Sequence, residues 1–310
     1  MKHHWEKLGP LFRVPDDGLH PLLLTHAANP LPVHLHDDVY RVFFSGRDKN
    51  NRSSVGAVDV DIVRRVIENV LTEPLFAYGA LGSYYADGVS IGNVYEADGA
   101  RFIGFMGWQT PPGQHWRGDI GRIRLTDNWR LEPADETPLM TSDSTDPVSL
   151  SYPWVMRAAN GEYQMWYGST LSWDSPNGEM IHVIKHATST DGHKWQRHGL
   201  AVPYELGKAQ AFSRPTVAAN DDGSLDMWFS YRSGTGERYR IGYAHSADGK
   251  HWVLDLANAG IGVSPDGWDS EMIEYPYVFD HDGQRYMLYN GNAFGKSGFG
   301  LARLVRHSSS

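Results

Sequence analysis

The chain has no cysteine among its 310 residues. That excludes disulfides, thiolate metal sites and a cysteine nucleophile. No run approaches the roughly 18 apolar residues of a membrane helix, so no membrane partner is expected. The start, Met1-Lys2-His3-His4-Trp5-Glu6-Lys7, has no apolar stretch behind its charges, which predicts no secretory signal and a cytoplasmic protein. Positive charge is short: 28 Lys and Arg against 37 Asp and Glu leave a net charge of −9. Nucleic acid and anionic membranes, which need a concentrated positive surface, are not expected partners. Helical patterning is scarce as well. Only residues 61–72 fit a short helix, and their position predicts an outer strand instead. The ends, His3-His4 and His307-Ser308-Ser309-Ser310, are expected to be disordered.

What is present is a repeated phrase. The best copies read Ser151-Tyr152-Pro153-Trp154-Val155 followed by Tyr163-Gln164-Met165-Trp166-Tyr167, and Ser213-Arg214-Pro215-Thr216-Val217 followed by Leu225-Asp226-Met227-Trp228-Phe229. A third is Glu274-Tyr275-Pro276-Tyr277-Val278 followed by Tyr286-Met287-Leu288-Tyr289. Weaker copies open at Asn29-Pro30 and at Asp87-Gly88. Each pair of strands is joined by a turn rich in Asp, Asn and Gly, the chemistry of a hairpin. Third strands follow at residues 54–60, 118–125, 182–189, 240–246 and 298–304. Ser189-Thr190-Asp191-Gly192-His193-Lys194-Trp195 and Ser246-Ala247-Asp248-Gly249-Lys250-His251-Trp252 read as structural turns that anchor an outer strand by its Trp.

A period of roughly 60 residues with several short strands is the signature of a radial array of sheets. The predicted fold is all-β: a five-bladed β-propeller of four-stranded antiparallel blades around a central funnel. It forms a single domain over residues 1–310, with the segment from Trp5 to Phe12 completing the last blade and removing exposed edges.

In such an array the residues that open the inner strands ring one funnel. They are Asn29, Asp87, Ser90, Ser151, Tyr152, Ser213, Arg214, Glu271 and Glu274. The ends of the second strands add Arg47, Trp108, Gln109, Ser169, Tyr231, Arg232, Asn290 and Asn292. Carboxylates, arginines, amides and a Trp suit a polyhydroxylated ligand, because sugar faces stack on aromatics and Arg or amide groups hold hydroxyls. The expected substrate contacts are Asn29, Arg47, Trp108, Tyr152, Ser169, Arg214, Arg232, Asn290 and Asn292. Glu274, entering an otherwise apolar strand, is costly unless paired and is placed where its pKa rises towards that of a general acid. Arg214 has two readings, a salt bridge to Glu274 or a hold on a substrate carboxylate or phosphate.

The five-unit repeat, the x-x-Pro openings and the Tyr-x-Met-Trp-Tyr strands resemble the five-bladed propeller glycoside hydrolases, the superfamily of arabinanases, xylosidases, invertases and levansucrases. The resemblance implies an Asp before a Pro in the first blade as base or nucleophile, a second Asp in an inner blade, and a Glu in a Glu-x-Pro setting as general acid. Glu274-Tyr275-Pro276 matches the last of these. The first-blade position is Asn29, which cannot serve as base or stable nucleophile. Either the acids have moved to Asp87, Glu271 and Glu274, or the protein is not an ordinary glycosidase.

Other motifs are weaker. His34 and His36 share a strand face and could make an N/O metal site with Asp37 or Asp87, but neither metal nor any other cofactor is expected. Glu179-Met180-Ile181-His182 with His186 mimics a zinc spacing, yet lies on an alternating strand where i and i+4 stand far apart. Gly291-Asn292-Ala293-Phe294-Gly295-Lys296 lacks the spacing and the following helix of a phosphate loop, and its place offers Asn292 and Lys296 as ligand contacts.

The leading expectation is a carbohydrate-active enzyme, hydrolysing or transferring a small glycoside or activated sugar. Glu274 would be its acid, with Asp87 or Glu271 as base or nucleophile. The alternatives are a non-catalytic carbohydrate-binding propeller and a metal-dependent sugar-modifying enzyme.

Overall fold

A computed structural model describes residues 3–305. The expected hairpins form. After β1 (Trp5–Phe12), the first unit is β2 (Thr25–His36), β3 (Val39–Arg47), β4 (Ser53–Asp61) and β5 (Val66–Phe76). The second is β6 (Gly88–Ala97), β7 (Ala100–Gln109), β8 (Arg117–Leu125) and β9 (Leu131–Pro133). The third is β10 (Ser149–Arg157), β11 (Tyr163–Ser172), β12 (Ile181–Ser189) and β13 (Gln196–Leu200). The fourth is β14 (Ser213–Ala219), β15 (Leu225–Tyr231), β16 (Arg240–Ser246) and β17 (Val253–Leu254). The last is β18 (Glu274–His281), β19 (Gln284–Asn290) and β20 (Phe299–Leu304). Residues 62–65 make a turn and β5 follows, so the 61–72 segment is mostly an outer strand.

Within each unit neighbouring strands pair antiparallel in chain order. The first two units are joined by a single parallel pairing, Ser53 with Gly88. β1 adds itself to β20, with Trp5 opposite Leu304. The first strands of the units touch in cyclic order, β2 to β6 to β10 to β14 to β18 and back to β2. No helix among the described residues is long and apolar enough to cross a membrane.

The core lies between the sheets. Trp166, Trp228, Phe43, Phe44, Phe229 and Tyr289 are fully buried on second strands, and neighbours such as Phe43 and Phe44 point to opposite faces, so both faces of these strands are covered. The Asp-Gly turns are structural. Asp191 accepts the N–H groups of His193 and Lys194, and Asp248 those of Lys250 and His251. Trp252 packs edge-on against Trp166 and donates its indole N–H to Gly249. His3 is held rather than disordered: its ring packs on Trp228 and Tyr243 and bonds the Asn258 carbonyl. The 307–310 tail lies outside the described residues.

One local device recurs. The residue before the proline of each Pro-containing opening has a left-handed backbone: Asn29 at φ 55°, Tyr152 at 28°, Arg214 at 46° and Tyr275 at 52°. Each sits where the strand pairing slips, between Ala28 and Leu31, Ser151 and Trp154, Ser213 and Thr216, and Glu274 and Tyr277. These are bulges, which break alternation and re-aim a side chain. A non-glycine residue held at positive φ costs of order 1–3 kcal/mol and persists only when its surroundings compel it.

At Arg214 the compulsion is visible. Its Nε donates to the Ile91 carbonyl, Nη1 to Tyr275 and Pro276, and Nη2 to Pro30 and Gly92, at 2.7–3.3 Å. One guanidinium on β14 thus ties together β2, β6 and β18. Burial pushes its pKa down to about 10. No carboxylate among the described residues accepts from it, so the salt bridge to Glu274 is not formed, and its donors are taken up by backbone carbonyls.

Candidate active site

A cavity of about 650 Å³ opens over one end of the first strands. Its floor comes from Ser90, Ser151, Tyr152, Ser213 and Tyr275, and its walls from the connections between second and third strands. These connections contribute Asn51, then Thr110, His115 and Trp116, then Trp173, Asp174 and Glu179, then Arg232 and Tyr239, then Phe294. The lining is aromatic with a few charges, the composition of a small-molecule site.

The bulges decide who faces the cavity. Tyr152 and Tyr275 reach it and pack 5.5 Å apart at 44°. Glu274, one residue earlier, is fully buried and is not among the residues that line the cavity. Neither of its carboxyl oxygens has a hydrogen-bond partner. Burial raises its pKa well above the usual carboxylate range, against a smaller opposing pull from Arg232 and Arg47. Both of those arginines line the cavity.

Arg232 carries a second carboxyl. It donates to Glu179 Oε1 at 2.6 Å, and the Met180 N–H donates to the same oxygen at 2.9 Å. Its guanidinium lies 4.7 Å from the Tyr239 ring, and its buried Nε–H has no partner. Arg232 is thus ion-paired with Glu179 in the wall and its charge also acts on the buried carboxyl of Glu274. Beside them His182 bridges two hydroxyls, Ser151 Oγ at 2.6 Å and Thr170 Oγ1 at 2.7 Å. Burial lowers its pKa to about 3, which keeps the imidazole neutral.

Of the funnel-ring residues the sequence singled out, Arg47, Ser90, Trp108, Ser151, Tyr152, Ser213 and Arg232 line the cavity. Arg47 stacks over Trp108 at 5.5 Å, and Trp108 is oriented by donating to Ser53 Oγ at 3.1 Å. The others are occupied elsewhere. Asp87 accepts the Thr110 N–H at 2.6 Å and shapes that connection without lining the cavity. Glu271 is exposed and ion-paired with Arg238, away from the cavity wall. Asn29 is buried below Tyr152, its amide 3.5 Å from the phenol. Ser169 is buried against Asp146. Asn290 spends its amide on the Asn29 N–H and the Ala27 and Gly298 carbonyls. Asn292 caps the Glu271 and Met272 N–H groups and the Gly267 carbonyl, binding two loops together.

The histidine pair is also placed elsewhere. His34 bonds the Asp37 carbonyl and His36 the Asp37 carboxylate, both exposed at the β2–β3 turn. Asp37 and Asp87 do not join them in a ligand group. The Asp38, His281 and Asp282 side chains lie close enough to share a cation, but His281 already bonds Asp38 at 2.7 Å and Tyr40 at 3.1 Å.

Sequence reasoning missed Glu179, His182, Trp173, Trp116 and Tyr275 as cavity residues. Glu179 and His182 were visible only as a zinc-like spacing, and the tryptophans sit in connections with no periodic signal.

No protein-family model matches the chain. "Uncharacterized protein Rv1502" of Mycobacterium tuberculosis (strain ATCC 25618 / H37Rv) is 42% identical over 302 residues, covering 97% of this chain and 99% of that protein. "Uncharacterized protein MT1551" of strain CDC 1551 / Oshkosh is 42% identical over the same span. The chain belongs to their family. Among solved structures, one described as "Glycoside hydrolase" superposes with a TM-score of 0.72 at 12% identity, covering 99% of this chain and 94% of that one. A member of "the GH130 family of mannoside phosphorylases" that "contains glycoside hydrolases that target beta-1,2 mannosidic linkages in Candida mannan" gives 0.73 at 11%, covering 98% and 94%. An exo-1,5-alpha-L-arabinanase from a bovine ruminal metagenomic library gives 0.62 at 15%, covering 90% and 92%. These likenesses show the fold: it is that of the propeller glycoside hydrolases.

Proposed function

We propose that the five four-stranded units are the blades of one five-bladed propeller over a single domain, and that the cavity is its funnel. The cyclic contact of the first strands and the docking of β1 on β20 support this reading. We further propose a carbohydrate-active enzyme that cleaves or transfers a glycosidic bond. Glu274 is the general acid, and Glu179 is the carboxylate that assists the attacking group or the developing positive charge. Arg232 keeps the two apart, while Tyr152, Trp173, Tyr239 and Tyr275 receive the sugar faces.

The observation that carries this is Arg232, ion-paired with the Glu179 carboxylate while its charge acts on the buried, unpartnered carboxyl of Glu274. A buried carboxyl whose pKa is raised, near one held as an ion pair, is a pattern from which acid and base roles are assigned. Those roles match the two-carboxyl logic of glycoside cleavage. Glycosidic linkages are also what the hydrolases and phosphorylases of like fold are named for. The complete burial of Glu274 favours one second reading, a binding module whose acid is retired.

Proton NMR of the wild type, Glu274→Gln and Glu179→Gln with a panel of furanosides, pyranosides and nucleotide sugars separates the two. A new anomeric signal lost in both folded variants supports the enzyme and reports retention or inversion. Saturation transfer to a sugar without turnover in any of the three proteins assigns the binding module.

A further inference from the structure

Most cations around the cavity mouth are already engaged. Arg232 is paired with Glu179, and Arg238 with Glu271. Arg240 donates to the Arg238, Tyr239 and Glu271 carbonyls. Arg47 is different. It is half-buried in the cavity wall, gives Nη1 to the Asn51 carbonyl at 2.7 Å, and has no carboxylate partner among the described residues. The nearest acid in sequence, Asp48, is taken up by the Arg52 guanidinium and the Asn50 and Arg52 N–H groups. Lys296 is exposed and equally without a carboxylate partner among the described residues.

The backbone brings these two cations to one side. Thr25 pairs with Arg47 across β2 and β3, and the next residue but one, Ala27, donates its N–H to Gly295 at 2.9 Å. His26 lies between those two contacts. Burial, then the charges of Arg47 and Lys296, hold its pKa down to about 4. The loop that carries Lys296 is held in an unusual shape, with Ala293, Phe294 and Gly295 all left-handed at φ 57°, 57° and 87°. That shape puts Phe294, 46% exposed, into the cavity wall 6.1 Å from Tyr239.

On a protein of net charge −9, Arg47 in the cavity wall and Lys296 on the loop that carries Phe294, neither ion-paired among the described residues, are not explained by packing or solubility. Guanidinium groups with free N–H donors bind carboxylate and phosphate oxygens by charge-assisted bonds. We propose that Arg47, Lys296 and His26 form an oxyanion subsite, and that the ligand is a sugar bearing a phosphate or carboxylate, or a sugar accompanied by free phosphate. His26 contributes as a neutral donor or acceptor. The subsite rests on the reading of the cavity as a sugar site, but it is tested by binding, without turnover.

The test is calorimetric titration of the full chain with inorganic phosphate, glucose 6-phosphate, glucuronate and glucose, repeated for Arg47→Gln, Lys296→Ala and Glu179→Gln. At least one anion should bind about tenfold or more tightly than glucose, the worth of one charge-assisted hydrogen bond. That preference should fall about tenfold in Arg47→Gln, fall less in Lys296→Ala, weaken with added salt, and survive in Glu179→Gln. Tight inorganic phosphate with no gain for the charged sugars assigns the oxyanion to free phosphate; the reverse order assigns it to the sugar. Equal affinity for glucose and all three anions, or anion binding indifferent to both Arg47→Gln and Lys296→Ala, overturns the subsite. Anion binding retained in a protein that turns over no glycoside leaves the subsite standing and removes only the catalytic reading.

Discussion

Arg232 donates to Glu179 across 2.6 Å, while its own buried Nε–H has no partner among the described residues and its charge acts on the buried, unpartnered carboxyl of Glu274. Each buried polar group left unsatisfied costs about 1–3 kcal/mol. Function is the usual reason such groups persist.

Glu274→Gln should abolish most turnover while stabilising the protein at neutral pH. Loss of a general acid costs roughly 10²–10⁴ in rate, read by the anomeric NMR signal. The stability effect follows from linkage. The folded pKa of Glu274 lies above its ordinary 4.5, so its contribution is fully present below that value and is lost as pH rises towards the folded pKa. Urea unfolding at pH 4 and pH 7.5 should therefore show the wild type losing stability relative to Glu274→Gln as pH increases. A constant difference between the two proteins would mean that Glu274 releases its proton at the same pH folded and unfolded.

Glu179→Gln should lower turnover by about 10² or more and leave binding of charged ligands intact or tighter, because Arg232 is released. Parallel NMR and calorimetry check the two effects. Equal loss of turnover and of sugar binding would make Glu179 a binding group only.

Trp173 reports the cavity. It stacks on His115 at 4.8 Å and meets Trp116 edge-on at 4.8 Å. A bound sugar should change intrinsic fluorescence, and Trp173→Ala should remove most of that change. It should also weaken sugar binding by about 1 kcal/mol, the typical worth of one aromatic stacking contact.

The strands were readable because each second strand alternates bulky residues before a polar turn, so Trp166 and Trp228 announce their own burial. The cavity was half readable. Arg47, Trp108 and Arg232 end or directly follow second strands, where a hairpin must deliver them. Tyr275 was missed because strand parity puts alternate residues on one face. The bulge before Pro276 breaks that parity, and only the left-handed φ of Tyr275 reveals it. Glu179, Trp116 and Trp173 lie in connections whose path depends on contacts distant in sequence, such as Asn177 with Gln210 at 2.6 Å.

β1 is the piece most remote in sequence from its partner. Removing residues 3–12 should leave the N–H and C=O groups of β20 unpaired, an edge that invites other chains. Light scattering after mild heating should show earlier aggregation than in the full chain. Unchanged behaviour would mean that the edge is covered by something other than β1.

Arg214→Met should lower stability by about 3 kcal/mol or more, since five carbonyls lose their only side-chain donor. Thermal unfolding would register this as a drop of roughly 5–10 °C.

The same guanidinium has a kinetic consequence. Strands β2, β6 and β18 hand their carbonyls to one side chain on β14, so none of these units can open alone without stripping a donor from the rest. Repeated sheets that touch only their neighbours would be free to fray singly, each with its own opening free energy. Here the amide protons of the first strands should exchange together, at the rate of global unfolding. The outer strands β9, β13 and β17 should exchange faster, as independent events.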